Sequence, residues 1–145
     1  MVKVNKEILN DIAQTFISID QEQGFLLGCT TCLEQLDHCC FLPAVQAGKF
    51  YYIPDSKAAD CVIKNWAARS ICFCGFIHSH LSDKKDLSES DIEFAQKLFE
   101  SYPLPVLWFG IGIVNEDGVI FRFYAVSKID GVMSVSPIEA EALYF

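Results

Sequence analysis

The order of apolar and polar residues along the chain predicts an α/β protein with three amphipathic helices. Apolar residues recur at helical spacing in each of them. The first spans residues 5–18, the second begins at a cap formed by Asp55 or Ser56, and the third runs from an N-cap at Ser88 to about Ser101, before Pro103. The apolar runs between the helices predict strands near residues 24–30, 38–45, 50–53, 71–78, 106–114 and 119–126.

The run from Ile71 to His78 is almost continuously apolar, which is typical of a central strand covered on both faces. Cys72, Cys74 and Phe76 have the same parity as His78, so a regular strand would place all four on one face. Open α/β sheets place their functional sites at the carboxyl ends of their strands. The end of this run is therefore the first place to look for chemistry.

Turn signals organise the remaining segments. Residues 115–118, Asn-Glu-Asp-Gly, predict a hairpin between the last two strands, and the polar residues 31–37 predict a hairpin-like connection. The tail from Lys128 to Phe145 is predicted either as a last strand plus a short helix or as an apolar terminus that docks elsewhere.

Length and composition restrict the class of protein. The 145 residues suit one domain, and 52% hydrophobic residues, including twelve Phe, favour a packed core over disorder. No apolar run approaches the ~20 residues of a membrane span, and residues 1–5 begin a polar amphipathic segment rather than a signal peptide. We therefore expect a cytoplasmic protein with no membrane partner.

Charge and cysteine usage exclude further classes. A net charge of −8 argues against nucleic acid as a partner, because sequence-independent binding to phosphates needs a basic surface. Seven cysteines without a secretory signal favour reduced thiols over a disulfide framework. Cys29-x2-Cys32 followed by Cys39-Cys40 could hold a second, structural metal, although buried thiols flanking two strands are the simpler interpretation.

The candidate chemistry lies at the end of the central strand. His78 and His80 are two residues apart, so a strand presents both imidazoles on one face. Asp91 falls three residues after the Ser88 cap, in the first turn of the third helix, and adds a carboxylate. Two imidazoles and one carboxylate leave a tetrahedral zinc one open position, which is typical of catalytic sites. Asp83 and Asp86 also offer carboxylates, but they are predicted to belong to a solvated loop.

Taken together, these residues resemble the JAMM (MPN-plus) signature of the JAB domain metalloproteases, His-x-His-x7-Ser-x2-Asp. That family also has a glutamate ahead of a Gly-apolar-apolar-apolar-Gly run, which here is the run from Gly24 to Gly28, preceded by Glu22. The resemblance implies the JAB/MPN fold over residues 1–145, a cytidine-deaminase-like three-layer α/β arrangement with a central mixed β-sheet and about three helices.

The resemblance also implies roles for individual residues. They are zinc ligands at His78, His80 and Asp91, a general acid/base at Glu22, and an oxyanion-stabilising hydroxyl at Ser88. This chain departs from the family pattern in two places. Leu81 replaces the usual proline after the second histidine, and many members place the glutamate three residues before the first glycine, where this chain has Gln21. A shift of one residue in a regular strand turns a side chain to the opposite face unless a bulge intervenes.

The function implied by the resemblance is a zinc-dependent metallopeptidase or isopeptidase. Its substrate would be a protein or peptide, namely the C-terminal tail of a ubiquitin-like or sulphur-carrier-like protein. A homodimer is also compatible with the sequence. The alternative is an MPN-type scaffold or binding module with zinc but little or no hydrolytic activity, which Gln21 would favour. A zinc nucleobase deaminase fits poorly, because His-x-Glu and Pro-Cys-x-x-Cys are both missing from the chain.

Overall fold

The computed structural model describes residues 1–81 and 86–143, except the side chain of Leu143. These residues form three helices and eleven strands. The helices are α1 (Lys6–Phe16), α2 (Ser56–Ala68) and α3 (Glu89–Ser101). The strands are β1 (Val2–Asn5), β2 (Gly24–Cys29), β3 (Gln35–Leu36), β4 (His38–Leu42), β5 (Ala44–Ala47), β6 (Tyr52–Pro54), β7 (Cys72–His80), β8 (Leu107–Asn115), β9 (Gly118–Ile129), β10 (Val132–Ile138) and β11 (Ala140–Leu143).

Six of these strands form a mixed sheet in the order β10-β9-β8-β7-β2-β4. Neighbouring strands run antiparallel except β7 and β8, which are parallel. A parallel pair needs a crossover connection, and α3 lies in it. The predictions of an α/β chain, a mixed central sheet and three helices in the described residues are confirmed, and β7 lies between two neighbours as a central strand should.

Helices cover both faces of this sheet. α1 packs on one face, and α2 and α3 pack on the other. The buried contacts on the α1 face include Ile8, Ile12 and Phe16 against Phe25, Leu27 and Ile77. Those on the other face include Ala59, Ile63, Trp66, Ala95 and Leu98 against Leu26, Phe76 and Phe109. Each face of the sheet therefore buries its own apolar layer.

Side chains cap all three helices at their first turn. Asn5 accepts hydrogen bonds from the first backbone N–H groups of α1, Asp55 does so for α2, and Ser88 does so for α3. Of the two caps considered for α2, Asp55 is therefore the one used. None of the helices in residues 1–81 and 86–143 is long and apolar enough to cross a membrane.

The chain termini depart from the prediction. Val2 and Val4 lie on β1, are fully buried, and belong to a second sheet in which β1 pairs in parallel with both β11 and β3. The tail forms two strands, β10 and β11, and no short helix up to residue 143. Tyr144 and Phe145 lie outside the described residues. The pairing joins segments far apart in the chain, which local periodicity cannot indicate.

The segment after β4 also differs from the prediction. A single strand over residues 38–45 is wrong, because Pro43 separates β4 from β5. Proline has no N–H to continue a ladder, so the chain leaves the sheet there. β5 then pairs with β6 in a separate two-stranded ribbon, which we call the β5–β6 ribbon.

A bulge in β7 corrects the predicted parity of the central strand. Leu27 of β2 pairs with Gly75 and Gly28 pairs with Phe73, so Cys74 is an extra residue on β7. Cys74 therefore packs on the α1 side of the sheet, whereas Phe76 lies on the other side with the α2 and α3 contacts.

The hairpin predicted at residues 115–118 is confirmed. β8 and β9 pair without interruption from Leu107 opposite Val126 to Asn115 opposite Gly118. Gly118 has a φ of +127°, a conformation that side chains with a Cβ rarely adopt.

Truncating Phe16 tests whether α1 is part of the core. Its ring is fully buried and meets Phe25 edge-on, with 5.8 Å between ring centroids. Phe16→Ala should lower the free energy of unfolding by about 3–5 kcal/mol, because it leaves a cavity in the core. Urea denaturation measures the loss. The neighbouring Ile17 is 57% exposed, so Ile17→Ala should change stability by only ~0.5 kcal/mol. Equal losses in the two variants would contradict the packing of α1.

Candidate metal centre

Four titratable side chains from three elements meet at the carboxyl end of β7. Glu22 lies just before β2, His78 and His80 lie on β7, and Asp91 lies in the first turn of α3. Each is at least nine-tenths buried, with exposed fractions between 3% and 8%. The structure therefore brings together the four charged or imidazole side chains that the sequence assigned to the site.

β7 presents the two histidines on the same face of the sheet, as their spacing predicts. Their ring centroids lie 4.6 Å apart, with the ring planes at 76°. Aromatic rings surround His78. Phe76 and Tyr52 lie nearly parallel to its ring, with centroids at 6.0 and 6.3 Å, and Phe109 meets it edge-on at 5.7 Å. These rings restrict the imidazole to one orientation.

Glu22, and not Gln21, faces the histidines. Gln21 is exposed, whereas the Glu22 Oε1 atom lies 3.4 Å from His78 Nδ1. The register explains this choice. Gly24 pairs with His78, so Glu22, two residues earlier, comes to the same face of the sheet. The Glu22 N–H also donates to the carbonyl oxygen of Gly48 at 2.7 Å.

Asp91 is oriented by the N-cap of α3. The Ser88 N–H donates to Asp91 Oδ2 at 2.8 Å, and the Asp91 N–H donates to Ser88 Oγ at 3.1 Å, which together form a capping box. The other carboxylate oxygen, Oδ1, lies 2.8 Å from His78 Nε2, and Oδ2 lies 3.6 Å from His80 Nε2. The cap that starts the helix therefore also aims its carboxylate at both histidines.

The electrostatics of the site favour the charged forms of His78 and Asp91. Burial lowers the pKa of His78, but the carboxylates of Asp91 and Glu22 outweigh it and raise the pKa to about 9. Burial alone would raise the pKa of Asp91. His78, His80 and the Ser88 N–H outweigh burial and hold that pKa well below its usual range. Both pKa shifts arise because oppositely charged groups lie close together at a buried position.

These side chains could hold a metal ion. One ligand atom from each of Glu22, His78 and His80 lies within 4.8 Å of the others. Both ring nitrogens of His78 are buried, and neither makes a well-directed hydrogen bond with the described residues, although carboxylate oxygens lie close to both. Ligand atoms around a tetrahedral ion are about 3.3 Å apart when bonds are about 2.0–2.1 Å. Asp91 approaches the two histidines at comparable distances but with different oxygens, Oδ1 at 2.8 Å from His78 Nε2 and Oδ2 at 3.6 Å from His80 Nε2.

Two ligand triads share the histidines. Glu22 lies next to Nδ1 of His78, and Asp91 lies next to Nε2. The two nitrogens of one imidazole point apart, so a single ion binds at only one of them. The carboxylate next to the other nitrogen then lies outside the triad that holds the ion.

The centre opens into a groove of about 1100 Å³. The β5–β6 ribbon with its connecting turn forms one wall, and α3 forms the other. The ribbon contributes Phe50, Tyr51, Tyr52 and Ile53, and α3 contributes Glu89, Glu93, Phe94 and Lys97. Phe50 is 77% exposed, so the rim of the groove on that side is apolar.

The other candidate ligands lie elsewhere. Asp86 is exposed and accepts a hydrogen bond from the Tyr124 hydroxyl at 3.0 Å, and Asp83 lies outside the described residues. His38 pairs with Asp37 at 2.9 Å on β4. All seven cysteines are free thiols, and away from this centre the part of the chain that the structure describes contains no group of three metal-ligating side chains.

Tyr52 was missed by the sequence reasoning, which assigned it only to an aromatic strand. Its ring stacks on His78, and its hydroxyl donates to the Leu42 carbonyl at 2.7 Å. A Cβ on Gly24 would lie 2.8 Å from the Phe76 ring and 3.0 Å from the Tyr52 ring. The glycine in front of the apolar run was a signal that something packs closely there, but it does not identify the partner.

Comparisons with known proteins give information about the fold of this chain and none about its chemistry. No family model matches the chain, and no curated protein matches it. A solution structure of a protein from Desulfitobacterium hafniense is similar over 99% of this chain and 95% of its own, at 14% identity and a TM-score of 0.71. A second, from Salinibacter ruber, is similar over 98% of this chain and 92% of its own, at 20% identity and a TM-score of 0.57. At such identities the likeness shows a shared fold alone.

The three histidines of the chain offer a test of metal binding with an internal control. His78→Ala and His80→Ala should each reduce any bound metal from about one ion per chain to near zero, because both candidate triads need both rings. His38→Ala should keep the ion, since His38 lies on β4 beside Asp37. Elemental analysis after dialysis measures the metal content. Retention of the metal by either of the first two variants would exclude this centre.

Proposed function

We propose that this protein is a zinc-dependent metallopeptidase or isopeptidase of the JAB/MPN type. The observation that carries the proposal is the arrangement at the end of β7. Two buried histidines lie between two buried carboxylates, next to an open groove. A pair of imidazoles with one carboxylate for the ion and one for proton transfer is a set of groups that hydrolysis at a metal can use.

In this proposal His78, His80 and Asp91 hold the zinc and Glu22 is the general base. Asp91 is the carboxylate that approaches Nε2 of both rings, at 2.8 and 3.6 Å. A zinc ion held there would act as a Lewis acid and would make water a good nucleophile at neutral pH. Glu22 would take a proton from the attacking water and pass it to the leaving amine.

Ser88 supplies the hydroxyl that stabilises the developing oxyanion. Its Oγ accepts the Asp91 N–H through a lone pair, so the hydroxyl proton is left to donate. Ser88 also lines the groove, next to Asp91. The capping box therefore holds the hydroxyl in place without consuming its donor capacity.

The substrate class rests on the resemblance to the family. We propose the flexible C-terminal tail of a ubiquitin-like or sulphur-carrier-like protein, encountered in the cytoplasm. The groove between the ribbon and α3 suits an extended chain, which can pair with an exposed strand edge while its side chains contact the apolar rim.

A scaffold that binds zinc without hydrolysis is the alternative. It depends on Gln21 taking the place of the glutamate, because an amide cannot transfer protons in this way. Gln21 is exposed and Glu22 is buried beside His78, which supports the enzyme over the scaffold.

The direct test of the function is cleavage of a fluorogenic amide at the C-terminus of ubiquitin-like and sulphur-carrier proteins. The zinc-loaded protein should cleave at least one of them, a chelator should abolish the activity, and added zinc should restore it. Glu22→Gln should reduce turnover by about 10²–10⁴-fold, because it removes the general base. Cleavage that survives in Glu22→Gln would contradict the proposed mechanism, and no cleavage of any member of the panel would favour the scaffold.

Paired substitutions of the two carboxylates separate the ligand from the base. Asp91→Ala should lose the zinc, whereas Glu22→Gln should keep about one ion per chain, because an uncharged isostere still fills the space. Gln21→Ala is the matched control and should keep both metal and turnover, since Gln21 is exposed. Metal content and turnover are measured on the same preparations. Zinc loss in Glu22→Gln with retention in Asp91→Ala would reverse the two roles.

Removing the Ser88 hydroxyl should affect turnover and not metal binding. Ser88→Ala should reduce turnover by about 10²-fold, because it removes one donor to the oxyanion. The helix cap is lost too, at a cost to folding of about 1 kcal/mol. Ser88→Asp is the comparison, since it keeps a cap but offers no hydroxyl donor. Loss of zinc in Ser88→Ala would mean that Ser88 acts by holding Asp91.

A further inference from the structure

Ser79, between the two histidines, is fully buried and lies on the opposite face of β7. Its side chain therefore points away from the metal centre. Its contacts are with Gln23, the residue that follows Glu22. The Gln23 N–H donates to Ser79 Oγ at 2.8 Å, and the Ser79 N–H donates to the Gln23 carbonyl at 2.8 Å.

This pairing departs from a regular antiparallel ladder. Two opposed residues of a hydrogen-bonded pair normally exchange both backbone N–H···O=C bonds. Here the Ser79 N–H makes one of them, but the return bond from Gln23 ends on the serine hydroxyl instead of the serine carbonyl. The regular pairing of β2 with β7 starts at Gly24 and His78, so the hydroxyl binds the chain at the point where it enters β2.

The hydroxyl therefore ties the backbone next to Glu22 directly to the strand that carries the histidines. On its other side, the Glu22 N–H is held by the Gly48 carbonyl at 2.7 Å. Gln23 is 6% exposed. If the hydroxyl were removed, its N–H would therefore be buried without an acceptor, because water cannot replace the lost hydrogen bond there. With an aliphatic side chain at position 79, the only remaining bond between residues 23 and 79 would be the one from the Ser79 N–H to the Gln23 carbonyl.

We infer that Ser79 is a positioning residue that fixes the Glu22 carboxylate against His78. The inference rests on the proposed function for its consequence in catalysis, because only there is Glu22 a base. The placement of Glu22 is a property of the metal-free chain and can be measured without substrate.

The experiment compares Ser79→Ala with Ser127→Ala by NMR of the metal-free protein. Ser127 is a partly buried serine on β9, outside the groove. In Ser79→Ala, the Gln23 amide should exchange with solvent roughly tenfold faster or more, because its acceptor is gone. The side-chain carboxyl ¹³C signal of Glu22, assigned by its loss in Glu22→Gln, should move towards the signals of exposed glutamates. Ser127→Ala should leave both unchanged.

Two more substitutions keep the test decisive. Ser79→Thr retains the hydroxyl and should restore the Glu22 signal. If Ser79→Ala does not fold, Ser79→Cys, which keeps the shape but bonds weakly, is held to the same criteria. A folded Ser79→Ala or Ser79→Cys variant with an unchanged Glu22 signal overturns the inference.

The loaded protein separates this inference from the proposed function. Ser79→Ala should keep its zinc and lose turnover, approaching Glu22→Gln, and Ser79→Thr should recover most of it. Loss of zinc in Ser79→Ala would overturn the inference, because Ser79 would then be supporting the histidines. A wild-type protein without hydrolysis would overturn the proposed function, while the NMR comparison would still decide the role of Ser79.

Discussion

Two carboxylates are buried within reach of one imidazole, and the rest of the site depends on balancing their charge. Glu22 and Asp91 flank His78, each with less than a tenth of its surface exposed. Buried anions are costly unless positive charge or hydrogen-bond donors compensate them. In the metal-free chain the compensation comes from His78, whose pKa is raised to about 9, and a bound cation would serve the same purpose. The geometry that demands compensation is also what makes the site a metal candidate.

The fold satisfies this demand by bringing three elements to one end of the sheet. β7 supplies the histidines, β2 runs antiparallel to it and begins beside them, and α3 returns the chain towards β8 with its N-terminus at the same end. The Asp91 carboxylate accepts a hydrogen bond from the Ser88 N–H, and the Glu22 backbone N–H donates one to the Gly48 carbonyl. Rings of Phe76, Tyr52 and Phe109 enclose His78 and keep its orientation. Rigid placement of this kind is what a catalytic or binding site requires.

The similarity to two solved structures concerns the fold, whereas the arrangement of side chains at the site concerns the function. The solved structures share the fold across almost the whole chain at 14% and 20% identity. Function depends on particular side chains placed on a fold, so a shared fold does not carry the chemistry with it. The proposal of a zinc peptidase therefore depends on Glu22, His78, His80, Asp91 and Ser88, and on the groove beside them.

The sequence by itself determined the features that depend on neighbours along the chain. His78 and His80 share a face because strands alternate, Ser88 caps α3 because a hydroxyl reaches N–H groups three residues away, and Gly118 closes a tight turn. Only the tertiary structure decided which of Gln21 and Glu22 faces the histidines, because that follows from Gly24 pairing with His78. The same holds for the bulge at Cys74, the pairing of β1 with β11, and the contacts of Tyr52 and Ser79. Each joins residues distant in sequence, and sheet register and packing across the core are set by the whole chain rather than by any local pattern.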